Sequence, residues 1–154
     1  MNDEGAVGET PLILGYAGLL PQIAAVATCA FGGGSDLGAM FAFGYATLIL
    51  SFVGGIWWGF AMHRPHGQGS AAALAILPSL AAAVLILLSI ARLVPLGWAL
   101  VLLGCAVLTT LLVDRRLVQD GAAPSGWMAM RVPLSIGLGM LTILCGLLCA
   151  VMTV

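Results

Sequence analysis

Five stretches of uncharged, apolar residues, each long enough to cross a bilayer, take up most of this chain and leave room for little else. They run over about 10–31, 37–62, 70–91, 93–113 and 132–154. The second holds 26 residues without a charge, about 39 Å of helix against a hydrocarbon core of about 30 Å. Only 7% of the residues are charged, where a soluble domain carries about 25%. No water-facing shell can be built from such a chain. It reads as an all-α integral membrane protein: a polar tail over residues 1–9, then a single bundle of five transmembrane helices over 10–154.

The arginines set the expected orientation. There is no lysine, and Arg64, Arg92, Arg115, Arg116 and Arg131 all fall outside or at the edges of the spans. If the spans alternate, all but Arg92 share one face. The positive-inside rule assigns that face to the cytoplasm, so the N-terminus is expected inside and the C-terminus in the periplasm. Asp3, Glu4 and Glu9 also fall inside, which the rule permits because acidic residues weigh little. Neither a secretory signal pattern nor an Arg-rich presequence opens the chain. A bacterial inner membrane is the expected location.

Breakers mark the connections. Gly32–Asp36 is a turn in which Ser35 or Asp36 could cap the second span. His63–Gly69, with Pro65 inside it, ends that span. The connection at Arg92 is short enough to make spans three and four a helical hairpin. Asp114 to Asp120 is expected to extend the fourth helix into water before Gly121–Gly126 breaks it. Pro21 and Pro78 lie inside spans, where proline kinks a helix and frees a carbonyl that neighbours must satisfy. Cys29, Cys105, Cys145 and Cys149 all fall within spans, where a free thiol behaves as a small hydrophobe.

Ser51–Gly59 is the best-defined local motif. Gly55 and Gly59 form a small-x-x-x-small step that lets a second backbone approach, and Gly54 widens the groove. Gly15 and Gly18 are expected to pack the first span, and Ala72, Ala75, Ser79 and Ala83 the third. Trp57 and Trp58 suit the membrane interface. The sharper reading places them with Pro21 and Pro78 around a pocket for an apolar molecule. His63 and His66 flank Arg64 in a broken turn, and a metal site would need Asp114, Asp120, Glu4 or Glu9 to join them. A turn facing lipid headgroups is the simpler reading. Arg64, Arg115, Arg116, Trp127 and Arg131 are accordingly expected to touch headgroups or a partner.

No ionisable residue other than cysteine or tyrosine is expected inside the spans, whereas ion pathways are usually marked by such groups. Nor does a hydrolytic triad, a metalloprotease helix or a phosphate loop appear. No catalytic residue, metal or cofactor is therefore assigned.

Several short motifs recur together: Leu14-Gly15-Tyr16-Ala17-Gly18-Leu19-Leu20-Pro21, the Ser51–Gly59 segment, Leu77-Pro78-Ser79, Asp114-Arg115-Arg116, Pro124-Ser125-Gly126-Trp127 and Arg131-Val132-Pro133-Leu134. In this order and over nearly the whole length, the chain resembles the domain-of-unknown-function 3429 family, which includes the animal mitochondrial transmembrane protein 69. It departs at Gln22, where the family favours an aromatic, and at Met128, where tyrosine is common. The resemblance implies a five-span fold and supplies no activity. Its mitochondrial members associate it with energy-converting membranes.

Two functions are expected from this reading. The first is a non-enzymatic accessory or assembly protein, embedded in the lipid bilayer and docked on other subunits of a respiratory or photosynthetic complex. The second is a binding or transport protein for an apolar small molecule such as a lipid or quinone. No nucleic-acid partner is expected. An enzyme would require His63, His66 and Asp114 to converge.

Overall fold

The computed structural model describes residues 8–32 and 36–152. Within them the chain is all helical: α1 (Glu9–Ala17), α2 (Leu20–Phe31), α3 (Leu37–Met62), α4 (Gln68–Ile90), α5 (Leu96–Gln119) and α6 (Trp127–Met152). Helices α1 and α2 together make the first of five segments long and apolar enough to span a membrane. Of the tail expected over residues 1–9, the first seven lie outside the described residues, as does Ser35 with its capping role, and Glu9 already opens α1. Asp36 precedes α3 without a side-chain capping bond.

The first span is broken, as proline chemistry requires, but the break falls before the proline. The chain turns at Gly18 and Leu19, and Pro21 sits in the first turn of α2, where its missing N–H costs nothing. The hydroxyl of Tyr45 on α3 donates to the Gly18 carbonyl, so a neighbouring helix satisfies the break.

Several polar side chains are held inside the bundle, where other helices rather than lipid can satisfy them. Gln22, Thr110, Asp114, Arg131, Ser135 and Thr142 are buried, while leucines, isoleucines and phenylalanines cover the outside. Helix α3 is the hub, touching α2, α4, α5 and α6. Its buried stripe runs Ala39, Ala42, Ala46, Leu50, Val53, Trp57 and Ala61, a three-and-four spacing that keeps one line facing inward. Three alanines start the stripe, and the larger Leu50, Val53 and Trp57 follow before Ala61 closes it.

Glycines decide where backbones touch. A methyl group on Gly54 would lie 2.5 Å from the Ala75 carbonyl oxygen, which makes this residue the α3–α4 contact. Ser51 and Ser79 share a 2.9 Å hydrogen bond one turn away. Gly55 and Gly59, expected to do this packing, are exposed and have nothing within 4 Å of an added Cβ. The helix is rotated so that Gly54, not the Gly55–Gly59 step, meets its neighbour. Gly15 packs on Leu134 and Gly18 on its own turn and Tyr45. Along the third span Ala75 is buried and Ala72 and Ser79 are half-buried, but Ala83 is exposed and Ala82 takes its place.

Helices α5 and α6 are held by two reciprocal glycine contacts. A Cβ on Gly97 would meet the Gly146 carbonyl at 2.8 Å, and one on Gly146 would meet the Gly97 carbonyl at 2.6 Å. Gly104 and Gly139 repeat the arrangement at 2.7 and 3.1 Å. The connection into α5 is equally tight. Arg92 adopts a left-handed φ of 56°, with Arg92 N–H bonded to Ser89 O and Leu93 N–H to Leu88 O. This is a Schellman stop at a position where glycine is usual.

The contact geometry predicts opposite outcomes for adjacent glycines. Gly54→Val should lower unfolding free energy by about 1–3 kcal/mol through overpacking. Gly55→Val should stay within about 0.5 kcal/mol of the parent. Denaturant unfolding of the detergent-solubilised protein measures both, and equal effects would refute the assigned α3–α4 contact.

Candidate functional site

The arginine-rich end of the bundle contains a buried ion pair. Asp114 lies on α5 and Arg131 in the first turns of α6, and both are inside continuous helices rather than beyond the spans. The Asp114 side chain is fully buried and Arg131 is 7% exposed. Arg131 Nε donates to Asp114 Oδ2 at 2.8 Å. An isolated carboxylate in an apolar interior would be prohibitively costly, so its remaining lone pairs need donors.

Two indoles supply them. Trp57 Nε1 of α3 donates to Asp114 Oδ1 at 2.9 Å, and Trp127 Nε1 donates to the same oxygen at 3.0 Å. Arg131 Nη2 donates to Thr110 Oγ1 at 3.2 Å, and that hydroxyl donates to the Val107 carbonyl at 2.6 Å. The guanidinium also lies over the Trp127 ring, 5.9 Å from its centroid, and Phe60 meets that ring edge-on. One carboxylate thus joins α3, α5 and the start of α6.

These positions correct several expectations. Asp114 does not extend into water, and Arg131 and Trp127 turn inward to Asp114 rather than outward to headgroups. Trp57 is buried while its neighbour Trp58 is 46% exposed, because adjacent helical positions face about 100° apart. Arg64 pairs with Asp120 at 3.1 Å across the ends of α3 and α5, and at this exposure the contact is worth about 1 kcal/mol or less. Arg115 and Arg116 are exposed. His63 contacts its own helix through the Gly59 carbonyl, and among the described residues no three His, Cys, Asp or Glu side chains gather as metal ligands.

Two clefts flank the polar cluster. The first, about 380 Å³, opens between α4 and α5 against α3. Trp57, Pro78, Thr110 and Arg116 are among its walls. Of the four residues expected around one pocket, Trp57 and Pro78 meet here. Pro21 and Trp58 line none of the clefts described.

The second cleft is larger, about 620 Å³, and is walled mainly by α1, α3 and α6. Its surface is almost wholly apolar, contributed by residues such as Leu14, Ile49, Phe52, Ile56 and Leu134. Trp127, Arg131 and Ser135 form its polar corner. Ser135 is 2% exposed and its hydroxyl has no hydrogen-bond partner among the described residues. The Asp114 cluster is therefore the partition between two clefts, with Trp57 and Thr110 on one side and Trp127 and Arg131 on the other.

The sequence carried a partial signal for this site. Asp114 is one of few charges near a span, and Trp127 and Arg131 stand four apart on one helical face. Periodicity could not reveal that all three converge, because the partners come from different helices. Gln22 is a second case: its Nε2 donates to Thr142 Oγ1 at 2.9 Å inside the α2–α6 contact.

The DUF3429 family, described as a protein of unknown function, matches residues 7–148. The chain belongs to this family. No curated protein and no solved structure matches it. The DUF3429 match takes in the break at Gly18, the α3 motif, the Asp114 cluster and both clefts.

The buried pair predicts a non-additive mutant cycle. Asp114→Ala should cost about 3–5 kcal/mol, because it strands the Arg131 charge. Asp114→Leu combined with Arg131→Met should recover part of that loss. Unfolding in a mixed-detergent titration measures the cycle. A double variant as unstable as the sum of its singles would show that the two groups act independently.

Proposed function

We propose that this protein binds an apolar small molecule of the lipid or quinone class, without catalysis, in a bacterial inner membrane. The observation that carries the reading is the 620 Å³ cleft, apolar along its length and polar at one corner. Pockets for small molecules typically measure about 300–1,000 Å³ and pair apolar walls with a few polar groups that fix orientation. A binding role also suits Asp114, whose oxygens already accept from two indoles and a guanidinium. A carboxylate so engaged is poorly placed to move a proton. The four arginines at one end favour that end on the cytoplasmic side.

A second reading, docking on a larger membrane complex, is favoured by the outward-facing Gly55–Gly59 step beside exposed Trp58. Such a step lets another helix approach closely. One preparation separates the two. The tagged protein is purified from its own inner membranes in mild detergent, and co-purifying molecules are identified by mass spectrometry. One apolar compound enriched in the parent, and lost when Leu134→Trp fills the cleft, is the expected result. Stoichiometric protein subunits with no enriched compound would transfer the proposal to the second reading.

A further inference from the structure

The larger cleft says more than that its occupant is apolar. We infer that it binds a neutral amphiphile through a carbonyl oxygen, which accepts hydrogen bonds from Ser135 and Arg131. This inference rests on the binding role proposed above and names the chemistry of the head group.

Two observations carry it. Ser135 belongs to the cleft wall and is 2% exposed, yet its Oγ has no partner among the described residues. A buried hydroxyl left unpaired is destabilising, so a site that retains one gains when an acceptor arrives. Arg131 borders the same corner and makes its hydrogen bonds through Nε and Nη2, which leaves Nη1 without a partner among the described residues. Both groups offer N–H or O–H hydrogens, so the complementary atom on the ligand is an acceptor.

Charge then selects among acceptors. The Arg131 guanidinium is already neutralised by Asp114 at 2.8 Å. A carboxylate or phosphate entering the corner would be an unpaired anion beside a closed ion pair in an apolar wall, which is heavily penalised. A carbonyl oxygen accepts the same hydrogens without bringing charge. The Ser135 oxygen is covered, so binding includes a χ1 step that turns it toward the ligand. The apolar remainder of the cleft accommodates a ring or chain.

Neutral carbonyl amphiphiles in a membrane come from two sources, prenylated or alkylated quinones and acylglycerol esters. Decyl-benzoquinone, dioleoylglycerol and oleate are the probes, each titrated into the full-length protein at fixed dodecyl maltoside. The readout is the rise of the unfolding midpoint with probe concentration, which reports binding to the folded state. At least one neutral probe should stabilise the parent saturably, with affinity about tenfold above that of oleate. Ser135→Ala should weaken that probe about tenfold, the worth of one hydrogen bond, and leave the ligand-free midpoint unchanged or higher. Which neutral probe binds identifies the source.

Saturable binding that Ser135→Ala leaves unaltered would overturn the head-group assignment while preserving the binding role. Oleate binding more tightly than both neutral probes would overturn the argument from charge. If no probe stabilises the parent, and Leu134→Trp changes nothing in the native preparation, the binding role itself fails.

Discussion

A single carboxylate buried among apolar helices constrains this structure more than any other group. Asp114 can occupy its place only if donors reach both oxygens, and those donors come from α3, through Trp57, and from the start of α6, through Trp127 and Arg131. The requirement fixes the rotation of α3, since Trp57 must face inward and Trp58 outward. It also fixes where the connection after α5 delivers the first turn of α6. Breaking one partner strands the others in a low-dielectric setting, so the group behaves as a unit.

At the opposite end the bundle is held by different means. Alanines on α3 and paired glycines on α5 and α6 let backbones approach until carbonyls meet Cα atoms. Lipid offers helices no hydrophobic drive to associate, so close packing and interior hydrogen bonds must supply it. Close backbone contacts are thus gathered towards one end and the polar cluster at the other. The two clefts lie on either side of that cluster. The side chains of the Asp114 cluster are thus also walls of the clefts: Trp57 and Thr110 of one, Trp127 and Arg131 of the other.

Much of the fold was legible in the chain. The lengths of the apolar runs gave five spans, and the breakers at 63–69 and 121–126 and the short connection at Arg92 marked links that the structure retains. The Pro21 kink was legible as well, and its place upstream follows from the proline ring, which excludes a helical carbonyl four residues back at Ala17, where α1 ends. What was not legible is rotation. Helices that are apolar all round carry no moment to say which side faces in, so Gly55 and Gly59 were assigned packing that belongs to Gly54. The Gly97–Gly104 and Gly139–Gly146 heptads did carry a signal, since equal spacing on antiparallel neighbours lets two pairs meet at once. For the site, the residue types were visible but their inward direction was not. A charge at the edge of an apolar run fits headgroup contact and burial equally well, and only partners from other helices separate them.

The account stands most directly on the two indole hydrogen bonds to Asp114. Nitrogen-15 labelling of tryptophan in the detergent-solubilised protein resolves the Nε1–H signals of Trp57, Trp58, Trp98 and Trp127. Trp57 and Trp127 should resist exchange with deuterated water, and Asp114→Asn should shift both together while leaving Trp58 and Trp98 in place. Four indoles exchanging alike, or a shift confined to one of the pair, would contradict a shared buried carboxylate.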